Sequence, residues 1–98
     1  NEFDDALSDL DEVNRKQPDN AFTLSSRGNV KRMLGDYHSA LADLNQSHSL
    51  NPTLPRVLTI RGDVHRVLGN LEQSLRDFNA ADSLEENDFD TLSWRGNT

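Results

Sequence analysis

The side chains able to ligate or attack are present in this sequence without the spacing that would make a site of them. His38, His48 and His65 are separated by 10 and 17 residues, not by the three or four that place two imidazoles on one helix face for a metal. Asp4-Asp5, Asp9 to Glu12 and Glu85 to Asp90 gather carboxylates, yet none alternates with the glycine that a calcium loop needs. They read as solvated faces and helix N-terminal charge. Serines are numerous, but no Gly-x-Ser-x-Gly or phosphate-cradling glycine loop accompanies them. Cysteine is absent, which removes thiolate chemistry, disulfides and cysteine-based zinc sites, and fits a reducing compartment. A non-enzyme without metal or cofactor is expected.

Two charged columns behave differently. Arg27, Arg61 and Arg95 recur every 34 residues, and so do Asp9, Asp43 and Asp77. A charge partly buried between helices needs a fixed opposite partner, so a repeated Arg-to-Asp ion pair between neighbouring helices is expected.

The formal charge of -7 and pI near 4.7 oppose phosphate backbones and anionic lipid. Nucleic acid and membrane are therefore not expected as partners, and a cytoplasmic location is. The chain of 98 residues is 34% hydrophobic. That is lean for one globular core, and layers added end to end suit it better.

The elements follow from the 34-residue period. Aligning Ala21 to Leu54 with Pro55 to Asp88 gives 12 identities, among them Leu24/Leu58, Gly28/Gly62, Val30/Val64, Leu34/Leu68, Gly35/Gly69 and Leu41/Leu75. Phe3, Ala6, Leu7, Leu10 and Pro18 extend the register backward, and Leu92, Arg95 and Gly96 forward. The expected units are the second helix of a partial repeat (1–20), two full repeats (21–54 and 55–88) and the start of another (89–98). Leu24, Gly28, Val30 and Leu34 mark a first helix; Tyr37, Ala40, Leu41, Leu44 and Leu50 mark a second. Gly35-Asp36 and Gly69-Asn70 supply the turns within repeats, and Asn51-Pro52 and Pro18 the stops between them. Mid-helix Gly28, Gly62 and Gly96 cost about 1 kcal/mol each relative to alanine, which close helix packing would offset.

On these residues the sequence resembles the tetratricopeptide repeat family along its whole length, through Leu24, Gly28, Gly35, Tyr37, Ala40, Leu44 and Pro52 above all. It departs where Leu24, Leu58 and Leu92 replace the usual Trp, Lys31 and His65 an aromatic, Ser74 an Ala and Glu86 a Pro. The resemblance implies an all-α, right-handed superhelical solenoid of antiparallel helix-turn-helix units. It also implies a peptide ligand in a concave groove lined by the first helices: Phe22, Ser25, Asn29, Arg32 and Met33, then Arg56, Thr59, Asp63, Arg66 and Val67, then Asp90, Ser93 and Asn97. Asn29, Asp63 and Asn97 form a polar ladder suited to a peptide backbone, and Arg32 and Arg66 add forked cations suited to carboxylates. Ser25, Asn29, Arg32, Thr59, Asp63, Arg66 and Asn97 are therefore the expected contacts of an extended, acidic peptide. The family's carboxylate clamp for chaperone tails is not expected, because only Asn29 matches it, while Ser25, Asp90, Ile60 and Trp94 occupy its other places.

A protein-interaction scaffold is the expected function. The alternatives are a docking arm of a larger enzyme and a structural spacer or self-assembling solenoid. The last follows from the ends, where a second helix without its first and a first helix without its second each leave an apolar face. Two such faces could meet head to tail.

Overall fold

The computed structural model describes residues 2–89, and side-chain environments through residue 85. Five helices follow one another: α1 (Glu2–Lys16), α2 (Ala21–Met33), α3 (Tyr37–Leu50), α4 (Pro55–Leu68) and α5 (Leu71–Phe89). The chain is an all-α helical repeat solenoid. Each helix packs on the next, and α2 also approaches α4, whereas among the described residues the backbones of α1 and α3, and of α3 and α5, stay apart. First helices thus lie side by side and second helices are splayed, the arrangement that gives a stack an inner and an outer curve.

Local chemistry sets the boundaries. Asn20 caps α2 by accepting from the Thr23 amide at 3.1 Å, and Pro55 opens α4, where its missing N–H costs nothing. The two within-repeat turns are built alike. Gly35 and Gly69 adopt φ of +85° and +87°, and the residue after each donates five residues back, Asp36 to Lys31 and Asn70 to His65. A Cβ at either glycine would meet nothing within 4 Å, so the left-handed backbone is what requires glycine there. At the far end Glu86 stands where the preceding repeat has Pro52, and α5 runs on to Phe89, past the Asp88 boundary that the repeat register places there. The expected start of a further repeat after Phe89 lies outside the described residues.

The core crosses the repeat boundary. Ala40 and Leu44 of α3 pack with Val57, Ile60 and Val64 of α4, bordered by Tyr37, Leu41, Leu54 and Leu68. Leu24 and Leu58, one repeat apart, are 1% and 2% exposed. Such a core stabilises neighbouring repeats jointly, as expected where each unit cannot bury its apolar face alone. The corresponding face of α5 stays open: Leu71 and Leu75, equivalents of Tyr37 and Leu41, are 63% and 62% exposed.

Close approach accounts for the mid-helix glycines. A Cβ on Gly28 would lie 2.9 Å from Leu44 Cγ and 3.3 Å from the Ala40 carbonyl, and one on Gly62 3.0 Å from the Phe78 ring. Overpacking costs about 1–3 kcal/mol and alanine recovers about 1 kcal/mol of helix propensity. Gly28 faces a buried branch carbon and a fixed backbone oxygen; Gly62 faces a ring edge able to tilt. Gly28→Ala should therefore lower the urea midpoint, with a net loss of about 1–2 kcal/mol, and Gly62→Ala should cost less. Equal midpoints for Gly28→Ala and the parent chain would contradict the close-packing account.

Candidate functional site

Two charged systems, on different faces of the first helices, organise the polar chemistry. The first is structural and repeats. Arg27 donates from Nε and Nη2 to Asp43 at 2.8 and 2.7 Å, and Arg61 does the same to Asp77 at 2.9 and 2.8 Å. The expected Arg-to-Asp pairing is thus present in both full repeats. Each arginine spends its remaining Nη1 on the preceding second helix, Arg27 on Asp11 and Arg61 on Asn45, both at 3.0 Å. The sequence reading missed this third bond; its signal was the 16-residue offset on both sides of each arginine. Asp43, 4% exposed, also receives Lys31 Nζ at 3.0 Å, while His65 Nε2 stands 4.0 Å from Asp77. Lys31, where tetratricopeptide repeats usually carry an aromatic, therefore serves Asp43, and His65 in the equivalent place stands beside Asp77 without a hydrogen bond to it. The Asp43 bonds hold the Arg27 guanidinium above its ordinary basicity, against the pull of burial.

The second system holds the candidate binding residues. Arg32 donates from Nε and Nη2 to Asn29 Oδ1 at 3.1 and 2.9 Å, and from Nη1 across to Asp63 Oδ2 at 3.0 Å. Arg66 donates from Nε and Nη2 to Asp63 Oδ1 at 3.2 and 2.6 Å. Four of the expected residues thus form one chain from α2 to α4. The polar ladder and the arginines, read from sequence as separate offerings to a ligand, bind one another. Two arginines against one aspartate leave the chain a single positive charge, carried outward by Arg66, whose side chain is 58% exposed. Phe22, Met33 and Val67 on the same helices are exposed, at 65%, 47% and 45%.

The other expected contact residues differ in their surroundings. Ser25 is buried and its Oγ donates to the Phe22 carbonyl at 2.9 Å, which takes it out of the open surface. Thr59 is exposed and donates to the Pro55 carbonyl at 3.1 Å. Asn97 lies outside the described residues. Among the described residues no group of three His, Cys, Asp or Glu could hold a metal, and no helix is long and apolar enough to cross a membrane.

Neither a family model nor a curated protein matches this sequence. Fifteen chains of solved structures do match the fold. One is the tetratricopeptide-containing protein MamA, described as MamA MSR-1 C2. It superimposes with a TM-score of 0.81 at 23% identity, over 89% of this chain and 50% of that one. The likeness shows a tetratricopeptide-like helical repeat fold, and this chain spans about half the length of that neighbour.

Removing Asp43 should be the costliest single change in the structural system. Asp43→Ala leaves Arg27 and Lys31 partly buried without their shared anion, for an expected loss of about 3–5 kcal/mol. Asp11, whose side chain is 56% exposed, should cost under about 1 kcal/mol as Asp11→Ala. Urea unfolding followed by circular dichroism would rank them, and equal losses would contradict the division between the two acceptors.

His48 adds a pH dependence. Its Nδ1 is buried without a protein partner among the described residues, and burial, reinforced by Arg61 and opposed by Asp77, pushes the imidazole below its ordinary 6.5. The unfolded chain therefore binds a proton at a higher pH than the folded one. Stability from this group is complete above pH 6.5 and is lost as pH falls from there through the lowered folded value. Asn14, one repeat earlier, also has a buried side-chain oxygen without a protein partner, so His48→Asn repeats a residue the fold already carries. The parent's thermal midpoint should fall between pH 7 and pH 5 more steeply than that of His48→Asn; parallel curves would assign the acid sensitivity elsewhere.

Proposed function

We infer that this chain is a protein-interaction scaffold that holds an extended, acidic segment of a partner along its first helices, and that it is not a catalyst. The tetratricopeptide-like fold supports protein binding in general terms. The observation that carries the finer reading is the chain Asn29–Arg32–Asp63–Arg66, which bridges α2 and α4 and keeps one surplus positive charge in a protein of formal charge -7. The side-by-side contact of α2 with α4, against the splay of the second helices, supports the first helices as the inner, groove-lining set.

In this reading Asp63 holds the Arg66 fork and the Arg32 Nη1, and Asn29 holds the Arg32 fork, so a ligand carboxylate meets cations already oriented. It accepts from the Arg66 face, while Asn29 and Thr59 border the path of the peptide backbone. The exposed Phe22, Met33 and Val67 supply apolar contact to alternate ligand side chains. Ser25 supports this surface from beneath by fixing the Phe22 carbonyl and makes no ligand contact.

Capture of partners from a lysate, compared among three proteins shown by circular dichroism to be folded, tests the site. A partner held by the parent should be lost by the Arg32→Glu, Arg66→Glu double variant and held more tightly by Asp63→Asn, whose Oδ1 can still receive the Arg66 fork while the negative charge that competes for both arginines is gone. Equal capture by all three would place the interaction on another surface.

A further inference from the structure

We propose that the cleft between α3 and α5 is a second binding site, independent of the first-helix groove, for a carboxylate group. The backbones of the second helices α3 and α5 stay apart, and the space between them is floored by α4. The cleft measures about 310 Å³ and is lined by Asn45, Arg61, His65, Gln73, Arg76 and Asp77. That is the lower end of the range of ligand pockets, roughly 300–1,000 Å³.

Comparison with the previous repeat shows what is unusual about it. One period earlier the same six positions carry Asp11, Arg27, Lys31, Ser39, Ala42 and Asp43. There the charges cancel, two cations against two anions, and all four are engaged with one another. In the second cleft Asp11 is replaced by the amide of Asn45, Lys31 by the shorter His65, Ser39 by Gln73 and Ala42 by Arg76. Arg61 and Asp77 still neutralise each other. Arg76 is exposed and makes no ion pair or hydrogen bond among the described residues, so its guanidinium is the uncompensated charge of the cleft.

The donors left over match one ligand chemistry. Arg76 offers a planar fork suited to two oxygens, and the Gln73 amide offers two more N–H groups. Asn45 accepts from Arg61 Nη1 through Oδ1, which leaves its NH₂ as a donor. Beside the neutral Arg61–Asp77 pair, Arg76 gives the cleft one surplus positive charge, which a single carboxylate balances, the second carboxylate of a dicarboxylate staying in solvent, and which a phosphate dianion, with both charges on one group, exceeds. The carboxylate can be the acidic side chain of a bound polypeptide or part of a small dicarboxylate.

Glutarate and a blocked tripeptide with a central glutamate, titrated at constant physiological ionic strength and pH 7.5 into the 98-residue chain, distinguish these sources by their relative affinity. The Gln73 side-chain amide, followed by NMR, should shift saturably with at least one of them. Arg76→Ala and Asn45→Asp restore residue types found at the equivalent places one repeat earlier, so the fold tolerates both. Each should weaken binding at least about tenfold, the effect of losing a charge-assisted hydrogen-bond pair or adding an opposing anion. The Arg32→Glu, Arg66→Glu variant should leave it unchanged. Linear, unsaturated shifts with both probes, equal affinity in Arg76→Ala, inorganic phosphate binding as tightly as glutarate, or loss of binding in the groove variant would each overturn the assignment.

Discussion

A carboxylate buried between helices is the constraint on which this structure turns. Asp43 and Asp77 are removed from water, and an unpaired charge in such a place would cost more than the chain's modest stability allows. Arginine meets the demand because its fork can engage one carboxylate with two N–H groups and still hold a third bond elsewhere. Arg27 and Arg61 use that capacity identically, reaching 16 residues forward to their own repeat's second helix and 16 residues back to the preceding one. Two second helices whose backbones stay apart are thereby tied through a single side chain of the first helix between them. Lysine, a point charge without a fork, could supply the attraction but not the geometry.

The ion pairs set register and the apolar core supplies most of the stabilisation, since area removed from water contributes about 25 cal/mol per Å² and buried pairs roughly break even against apolar packing. Val57, Ile60 and Val64 join Ala40 and Leu44 across the repeat boundary, so neither repeat completes its core alone. Gly28 and Gly62 let the two helices within each repeat approach, which brings Arg27 and Arg61 within reach of their aspartates. Packing and pairing are consequently coupled: a side chain that pushed α2 from α3 at Gly28 would also lengthen the bonds that the adjacent Arg27 makes to Asp43.

Much of this was legible from the period of 34, because a repeated position repeats its environment. The helices, the glycine turns and the pairing of one arginine column with one aspartate column all follow from residues that recur unchanged. What did not recur was harder to see. The third arginine bond goes to Asp11 in one repeat and Asn45 in the next, a column whose chemistry changes and whose role only the crossing of helices reveals. The groove arginines were visible as cations, and the bonds of Arg32 to Asn29 and of Arg66 to Asp63 lie at helical spacing, but the bond from Arg32 to Asp63 joins residues 31 apart on different helices, a distance no helical spacing reports. The end of α5 escaped for a local reason: without a proline at Glu86, nothing stops the helix where the repeat register would.

The electrostatics of binding depend on how the surplus cations sit in an acidic chain. At long range the charge of -7 repels an acidic partner, and at contact range Arg66 on one face and Arg76 on another attract it. These act over different distances, and salt separates them. At physiological ionic strength fields fade beyond about 8 Å, which suppresses the diffuse repulsion more than a bidentate hydrogen bond at contact. An acidic ligand therefore gains little from steering and depends on the fixed geometry of the forks that receive it. That geometry comes from Asp63 for one fork, whereas Arg76 has no such anchor. Of the two proposed sites the groove is accordingly the better ordered and the cleft the more open, so ordering Arg76 would be part of the cost of filling the cleft.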